Sequence, residues 1–319
     1  MMYRKSRKIR VLMIHTASAK NKVGVGVGIV QYEDEHGLQF LSIENNHATA
    51  TIAMQGGHVM HWQPKAAAYP VLWLSSNARY TAGRSIRGGI PICWPWFGAH
   101  PTDSSYCPHG FARVIPWKVL QTSTLANGAT RLLLEMTHTD VTRKQLSYDY
   151  RFVLAINIGE TLRLEMMTTN LASHPFMIGE AFHTYFNVSD VEGIQVTGLE
   201  NLVFSDKVAG YERNIQHGPV KFNSEFDRVF INSRRDIVIH DAAYSRKIRV
   251  TKSCSHTTVI WTPWGEKAEQ MADMGAKNEW RKTICVESAN AMENSVTIYP
   301  NETHTMVTEY SLEAFSDKK

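Results

Sequence analysis

The chain has 319 residues, enough for two average domains or one large all-β domain, and its 43% hydrophobic and 20% charged residues match an ordinary soluble globular protein. The formal charge of +4 is small and much of it sits in Arg4, Lys5, Arg7, Lys8 and Arg10, so the body offers no nucleic-acid or membrane-surface footprint. No apolar run approaches the roughly 20 residues of a membrane span. The four cysteines (Cys93, Cys107, Cys254, Cys285) show no CxxC pairing, which makes reduced thiols and the cytoplasm the default.

Residues 1–22 have no periodic pattern and are expected to form a loose extension, with a single domain from residue 23 to 319. Basic residues followed by Val11-Leu12-Met13-Ile14 imitate a targeting peptide, but the apolar part is shorter than the roughly 7 residues a secretory signal needs. Val23-Gly24-Val25-Gly26-Val27-Gly28-Ile29 alternates into Val30 and Tyr32. It therefore reads as strand and not as a dinucleotide loop, which needs a preceding strand and a following helix.

Strand patterns follow at 38–43, 50–53, 71–74 and 131–137. Tyr150 to Ile158 and Leu162 to Met166 alternate around Gly159-Glu160, a hairpin signal. Segments 236–240 and 247–250 suggest another pair. So do 295–299 and 306–312, around Pro300-Asn301-Glu302-Thr303. Only Ala268, Met271, Ala272 and Gly275 show helical spacing. Many strands with hardly a helix predict a mostly β fold of stacked antiparallel sheets with a concave face.

Several segments carry chemistry. Arg87 precedes Gly88-Gly89 in an irregular run that ends in Cys93-Trp94-Pro95-Trp96-Phe97. Its planar guanidinium suits phosphate, and the three aromatics offer ring faces for a sugar. In Pro108-His109-Gly110-Phe111-Ala112-Arg113, an extended backbone would put His109 and Arg113 on one face. Glu180-Ala181-Phe182-His183-Thr184-Tyr185-Phe186-Asn187 sets a histidine among aromatics, and histidine exchanges protons near neutrality. Glu287 follows the apolar Ile284-Cys285-Val286 and reads as a strand-end carboxylate whose proton affinity an apolar setting would raise.

Together, Ile86-Arg87-Gly88-Gly89-Ile90-Pro91, His109-Gly110-Phe111-Ala112-Arg113, Phe182-His183-Thr184-Tyr185-Phe186, Phe226-Asp227-Arg228-Val229, Trp261-Thr262-Pro263-Trp264 and Cys285-Val286-Glu287 resemble the aldose-1-epimerase (galactose mutarotase-like) superfamily. They are most similar to its hexose-6-phosphate mutarotase (glucose-6-phosphate 1-epimerase) branch and fall in the family's order over about residues 30 to 312. The resemblance implies a β-supersandwich and an isomerase that interconverts the α and β anomers of a hexose 6-phosphate. It implies His183 as the acid for the ring oxygen and Glu287 as the base for the anomeric hydroxyl. Asp227 would bond sugar hydroxyls, His109 would orient substrate, and Arg87 and Arg113 would hold the 6-phosphate. Ser288 stands where many relatives have proline after the glutamate, a substitution expected to loosen the backbone there.

The expected partner is a small sugar phosphate, with no cofactor, metal, nucleic acid or membrane, and a monomer is the default. Two alternatives are a non-catalytic carbohydrate-binding β-sandwich and a metal-dependent β-fold enzyme using His109, His183 and Glu287 as ligands.

Overall fold

The computed structural model describes residues 19–315. Most of the extension assigned to 1–22, with its basic cluster and the Val11–Ile14 run, lies outside the described residues. The strand Lys20–Gly26 starts inside that extension, three residues before the expected domain boundary at Val23.

The described residues form antiparallel ladders in three main sheets and one two-stranded pair. A five-stranded sheet runs in sequence order through Lys20–Gly26, Ile29–Glu33, Gln39–Glu44, Ala48–Ala53 and His58–Pro64. The single alternating strand expected at 23–32 is instead a hairpin. Gly28 has φ +67°, and a Cβ there would stand 2.0 Å from the carbonyl oxygen of Glu44, so only glycine makes this turn.

The back sheet has eight strands. Its centre is Arg246–Ser253, Thr303–Ala314, Leu162–Asn170 and Tyr150–Ile158, and the last two form the hairpin read from Gly159-Glu160, with Leu162 opposite Ile158. The front sheet runs Glu212–Ile215, Val203–Asp206, Phe226–Ile231, Thr257–Thr262, Thr283–Asn290, Glu180–Phe182 and Ile92–Cys93, and Tyr185–Asn187 also pairs Thr283–Asn290. Phe182, Phe186, Phe230, Val286 and Ile260 of the front sheet are fully buried in one cluster with Phe152, Leu154, Met306 and Tyr310 of the back sheet. Each such side chain contributes about 1.5–3 kcal/mol on burial, which fixes the front sheet's inward face.

Two further strand readings change. Residues 71–74 form no strand, only bridges from Leu72 to Phe186 and from Leu74 to Gly88. Val296–Ile298 pairs with Phe176–Ile178 and not with Thr303–Ala314, which lies in the back sheet. Tyr299 to Glu302 thus links two sheets, a distinction the local alternation does not encode. Of the four residues with helical spacing only Ala268 is helical, in Trp264–Gln270, while Met271, Ala272 and Gly275 lie beyond its end; a second helix, Asp140–Gln145, carries a Thr139–Thr142 capping box that the apolar pattern hides. No helix among the described residues is long and apolar enough to cross a membrane.

Candidate active site

The ladder register decides which side chains meet on the outer face of the front sheet. Opposed residues share a face, and alternate residues along a strand return to it. Asp227 opposes Trp261, Trp261 opposes Cys285, and Cys285 opposes Tyr185. One step along, Val229 opposes Val259, which opposes Glu287. Asp227, Trp261, Tyr185 and Glu287, distant in sequence, therefore lie on one face of the front sheet.

His183 sits in a gap between Glu180–Phe182 and Tyr185–Asn187. Both flanks pair with Thr283–Asn290 in the same register, so the break leaves His183 opposite Glu287. His183 Nε2 lies 3.4 Å from Glu287 Oε1. Glu287 is mid-strand, not at a strand end, and is 2% exposed. The Tyr185 ring stacks on His183 at 5.0 Å, and the edges of Trp261 and His109 approach it at 6.2 and 5.7 Å.

Burial, the largest influence on both groups, pushes them in opposite directions. Glu287 is raised from 4.5 to about 8, with Asp227 adding and Lys207 and Arg113 opposing. His183 is held well below 6.5 by burial and then by the Arg113 and Arg87 charges. At neutral pH the pair holds one proton, on the carboxyl, and the imidazole is neutral.

The arginines approach from two sides. Arg87 precedes Gly88 and Gly89, both at positive φ, and a Cβ on either would meet backbone within 2.6 Å. Its Nη1 donates to Tyr185 Oη at 2.8 Å, and its Nε lies 3.2 Å from the Asp273 carboxylate. The segment carrying His109 and Arg113 is not extended. His109 has φ +68° and Ala112–Val114 is a 3-10 turn, yet both residues still reach Cys93. His109 Nδ1 is 3.4 Å from Cys93 Sγ and accepts from the Gly98 N–H at 3.4 Å, which leaves Nε2 to carry the proton in the neutral ring. Arg113 Nη2 donates to the Pro108 carbonyl at 3.0 Å and to Cys93 Sγ at 3.9 Å. Among the described residues it has no carboxylate partner.

Two residues escaped sequence reasoning. Lys207, in the turn after Val203–Asp206, places Nζ 3.3 Å from Asp227 Oδ1 and 5.2 Å from the Phe97 ring centre. Asp273 follows the helix Trp264–Gln270 and meets Arg87. Neither stands in a recognisable motif. Of the three aromatics expected to offer ring faces, Trp94 is 0% and Trp96 8% exposed. Both belong to the core, where Trp94 stacks on Phe152, and only Phe97 borders the site.

His183 Nδ1 and Glu287 Oε2 are buried without a hydrogen bond, whereas Asp227 Oδ1 and Arg87 Nε have only their ion-pair contacts with Lys207 and Asp273. Buried polar atoms normally have partners, so the His183–Glu287 pair keeps hydrogen-bonding capacity for a polar ligand. No group of three or more His, Cys, Asp or Glu side chains among the described residues is placed to hold a metal ion, so the ligand set His109, His183 and Glu287 gains no support.

Comparison with known proteins gives the family and the fold. The sequence model of the Aldose 1-epimerase family matches residues 39–311. An Escherichia coli K12 protein named "Putative glucose-6-phosphate 1-epimerase" is 35% identical over 259 residues, covering 80% of this chain and 84% of that one. A protein of the same name from Cenchrus ciliaris is 34% identical over 262 residues, covering 79% and 78%. A Salmonella typhimurium crystal structure described as a "putative mutarotase" superposes with a TM-score of 0.87 at 26% identity, covering 97% of this chain and all of that one. A galactose mutarotase-like protein of Clostridium acetobutylicum, at 16% identity and a TM-score of 0.67, shares the fold. The chain belongs to the aldose 1-epimerase family.

Proposed function

We propose that this protein interconverts the α and β anomers of a hexose 6-phosphate, glucose 6-phosphate first among them, by opening and reclosing the ring. The observation behind this reading is the His183–Glu287 contact of 3.4 Å, a one-proton pair beside a guanidinium, Arg113, that has no carboxylate partner among the described residues. The names of the relatives support the choice of substrate.

Ring opening moves one proton from O1 and puts one on O5. The C1–O5 electrons leave with O5, and the O1 electrons form the C1=O1 double bond. O1 and O5 hang on the same carbon, so a donor and an acceptor standing side by side can serve both from one flank. No pyranose has to lie between the two groups. A proton count of one is what the step needs, since one group gives while the other takes.

The cations give the phosphate a further part. Arg113 and Arg87 help to keep His183 neutral, and Arg113 also weakens the hold of Glu287 on its proton. A bound phosphate dianion offsets those charges and so raises the proton affinity of both groups. As imidazolium and carboxylate the pair protonates O5 and takes the O1 proton, and with the proton on Glu287 the two roles are exchanged. After rotation about C1–C2 in the open aldehyde, the same two groups work in reverse. In this reading Asp227 and His109 Nε2–H bond sugar hydroxyls, and phosphate binding remote from C1 contributes to rate as well as affinity.

NMR exchange between the anomers of glucose 6-phosphate, with and without protein, tests the reading. Acceleration by the wild type, lost in His183→Ala, is the expected result. Equal exchange rates with and without the wild-type protein would overturn it.

A further inference from the structure

The interior between the two large sheets is largely apolar but carries a line of hydroxyls behind the candidate site. From the back-sheet strand Thr303–Ala314, Thr308 and Tyr310 point toward the front sheet, and both are 0% exposed. Tyr310 Oη lies 2.6 Å from Thr184 Oγ1, and Thr308 Oγ1 lies 2.9 Å from Ser288 Oγ. Thr184 directly follows His183, and Ser288 directly follows Glu287. Strand alternation turns Ser288 inward where Glu287 lies on the outer face of the front sheet.

The four hydroxyl hydrogens can be placed without conflict. Ser288 donates to Thr308, which donates to the Thr251 carbonyl at 3.2 Å. Tyr310 donates to Thr184, which donates to the Phe182 carbonyl at 3.3 Å. Every oxygen has a partner, so the line is not a defect of the core.

Stability alone does not account for it. Replacing both partners of a buried hydrogen bond by apolar groups of the same shape is nearly neutral, and the neighbours Phe182, Phe186 and Met306 are apolar and fully buried. What hydroxyls add over methyl groups is direction and distance. The placement matters because regular strand pairing lapses at His183 and Thr184, where the backbone is held by two bonds, His183 N–H to the Pro91 carbonyl at 2.9 Å and Val286 N–H to the Thr184 carbonyl at 3.2 Å.

We propose that this hydroxyl quartet sets the separation of His183 and Glu287, with Tyr310 and Thr308 as positioning residues. Two side chains on one strand fasten, from behind, the residues that follow the two site residues. Ser288, where the sequence suggested a loosened backbone, is thereby one of the fastened points. The inference rests on the reading of His183 and Glu287 as the proton-transfer pair.

Tyr310→Phe and Thr308→Val each remove one oxygen at nearly constant shape, and Thr308→Ser keeps it. Anomer exchange of glucose 6-phosphate is measured as kcat, KM and the pH profile of kcat. Tyr310→Phe and Thr308→Val should lower kcat by about tenfold to 10²-fold, the scale of a displacement of up to 1 Å, with KM little changed. The alkaline limb of the profile should move to lower pH as water reaches Glu287, and Thr308→Ser should restore both. Wild-type kcat and pH profile in Tyr310→Phe and Thr308→Val, with only a lowered melting temperature, would overturn the proposal. His183→Ala, run alongside, separates the two readings: activity there refutes the proton pair, whereas inactivity there with unaltered hydroxyl variants refutes only the positioning role.

Discussion

Replacing Glu287 by glutamine should abolish anomerisation and, above acidic pH, make the protein more stable. The carboxyl is 2% exposed and raised from 4.5 to about 8, mainly by burial. Below pH 4.5 the folded and unfolded chains both hold the proton, and the group adds no pH dependence. Between 4.5 and about 8 the unfolded chain releases it while the folded chain keeps it, so each step upward favours unfolding. Above about 8 both states are ionised and the loss is complete. At about 1.4 kcal/mol per pH unit, the interval from 4.5 to 8 amounts to about 5 kcal/mol, of which about 3 has accrued by pH 7. Glutamine has the same outline and no proton to lose. The stability of Glu287→Gln over the wild type, measured by urea unfolding, should therefore widen from pH 5 to pH 8 by several kcal/mol. Over the same range its anomer-exchange rate should be lower by roughly 10²–10⁴-fold. A stability difference that stays flat between pH 5 and pH 8 would show that Glu287 titrates as an ordinary carboxyl, and the one-proton argument would fall with it.

Activity should be bell-shaped in pH. It should fall above about 8, where Glu287 ionises and the pair is left without a proton, and in acid below His183's usual 6.5, where the imidazole takes a second one; a rate still rising at pH 9 contradicts this. Lys207→Met leaves Asp227 uncompensated near Glu287, so the alkaline limb should shift to higher pH, and a shift to lower pH would refute the assignment. Arg113→Ala should raise KM for glucose 6-phosphate by about 10- to 100-fold, as expected for a charge-assisted bond, with little effect on unphosphorylated glucose. Arg87→Ala should also weaken phosphate binding and, because it frees Tyr185, lower kcat; equal losses on both sugars in both variants would remove the phosphate role. Anomer exchange should be undiminished in a strong chelator, and a loss restored by added divalent metal would revive the metal reading.

The fold was legible because two-residue alternation is local. The hairpin of Tyr150–Ile158 with Leu162–Asn170 could be read from Phe152, Leu154, Ile156, Leu162, Leu164 and Met166 alone. Partner choice between distant strands could not. Val296–Ile298 and Thr303–Ala314 look like a hairpin around a turn, yet each pairs elsewhere, because sheet assignment depends on which apolar faces meet in the core. The error at Trp94 and Trp96 has the same root. A proline- and glycine-rich run suggests a surface loop, whereas this one passes through the core, and Trp94 packs face to face on Phe152.

For the site, motifs supplied residue types and the register supplied proximity. Nothing in the Phe182–Phe186 segment points to Glu287. The two meet because both flanks of the broken strand keep one register with Thr283–Asn290, so the local irregularity does not move the His183 side chain off the carboxylate. Lys207 and Asp273 were invisible for the complementary reason. Each matters through the charge it faces, Asp227 or Arg87, and a charge partner across the fold leaves no trace in the local sequence. The protonation pattern is the least legible of all. Reading His183 as acid and Glu287 as base assigns the proton to the imidazole, whereas burial assigns it to the carboxyl. The two descriptions differ by one transfer across 3.4 Å and not by proton count. A reaction that returns every proton it takes can run from either form.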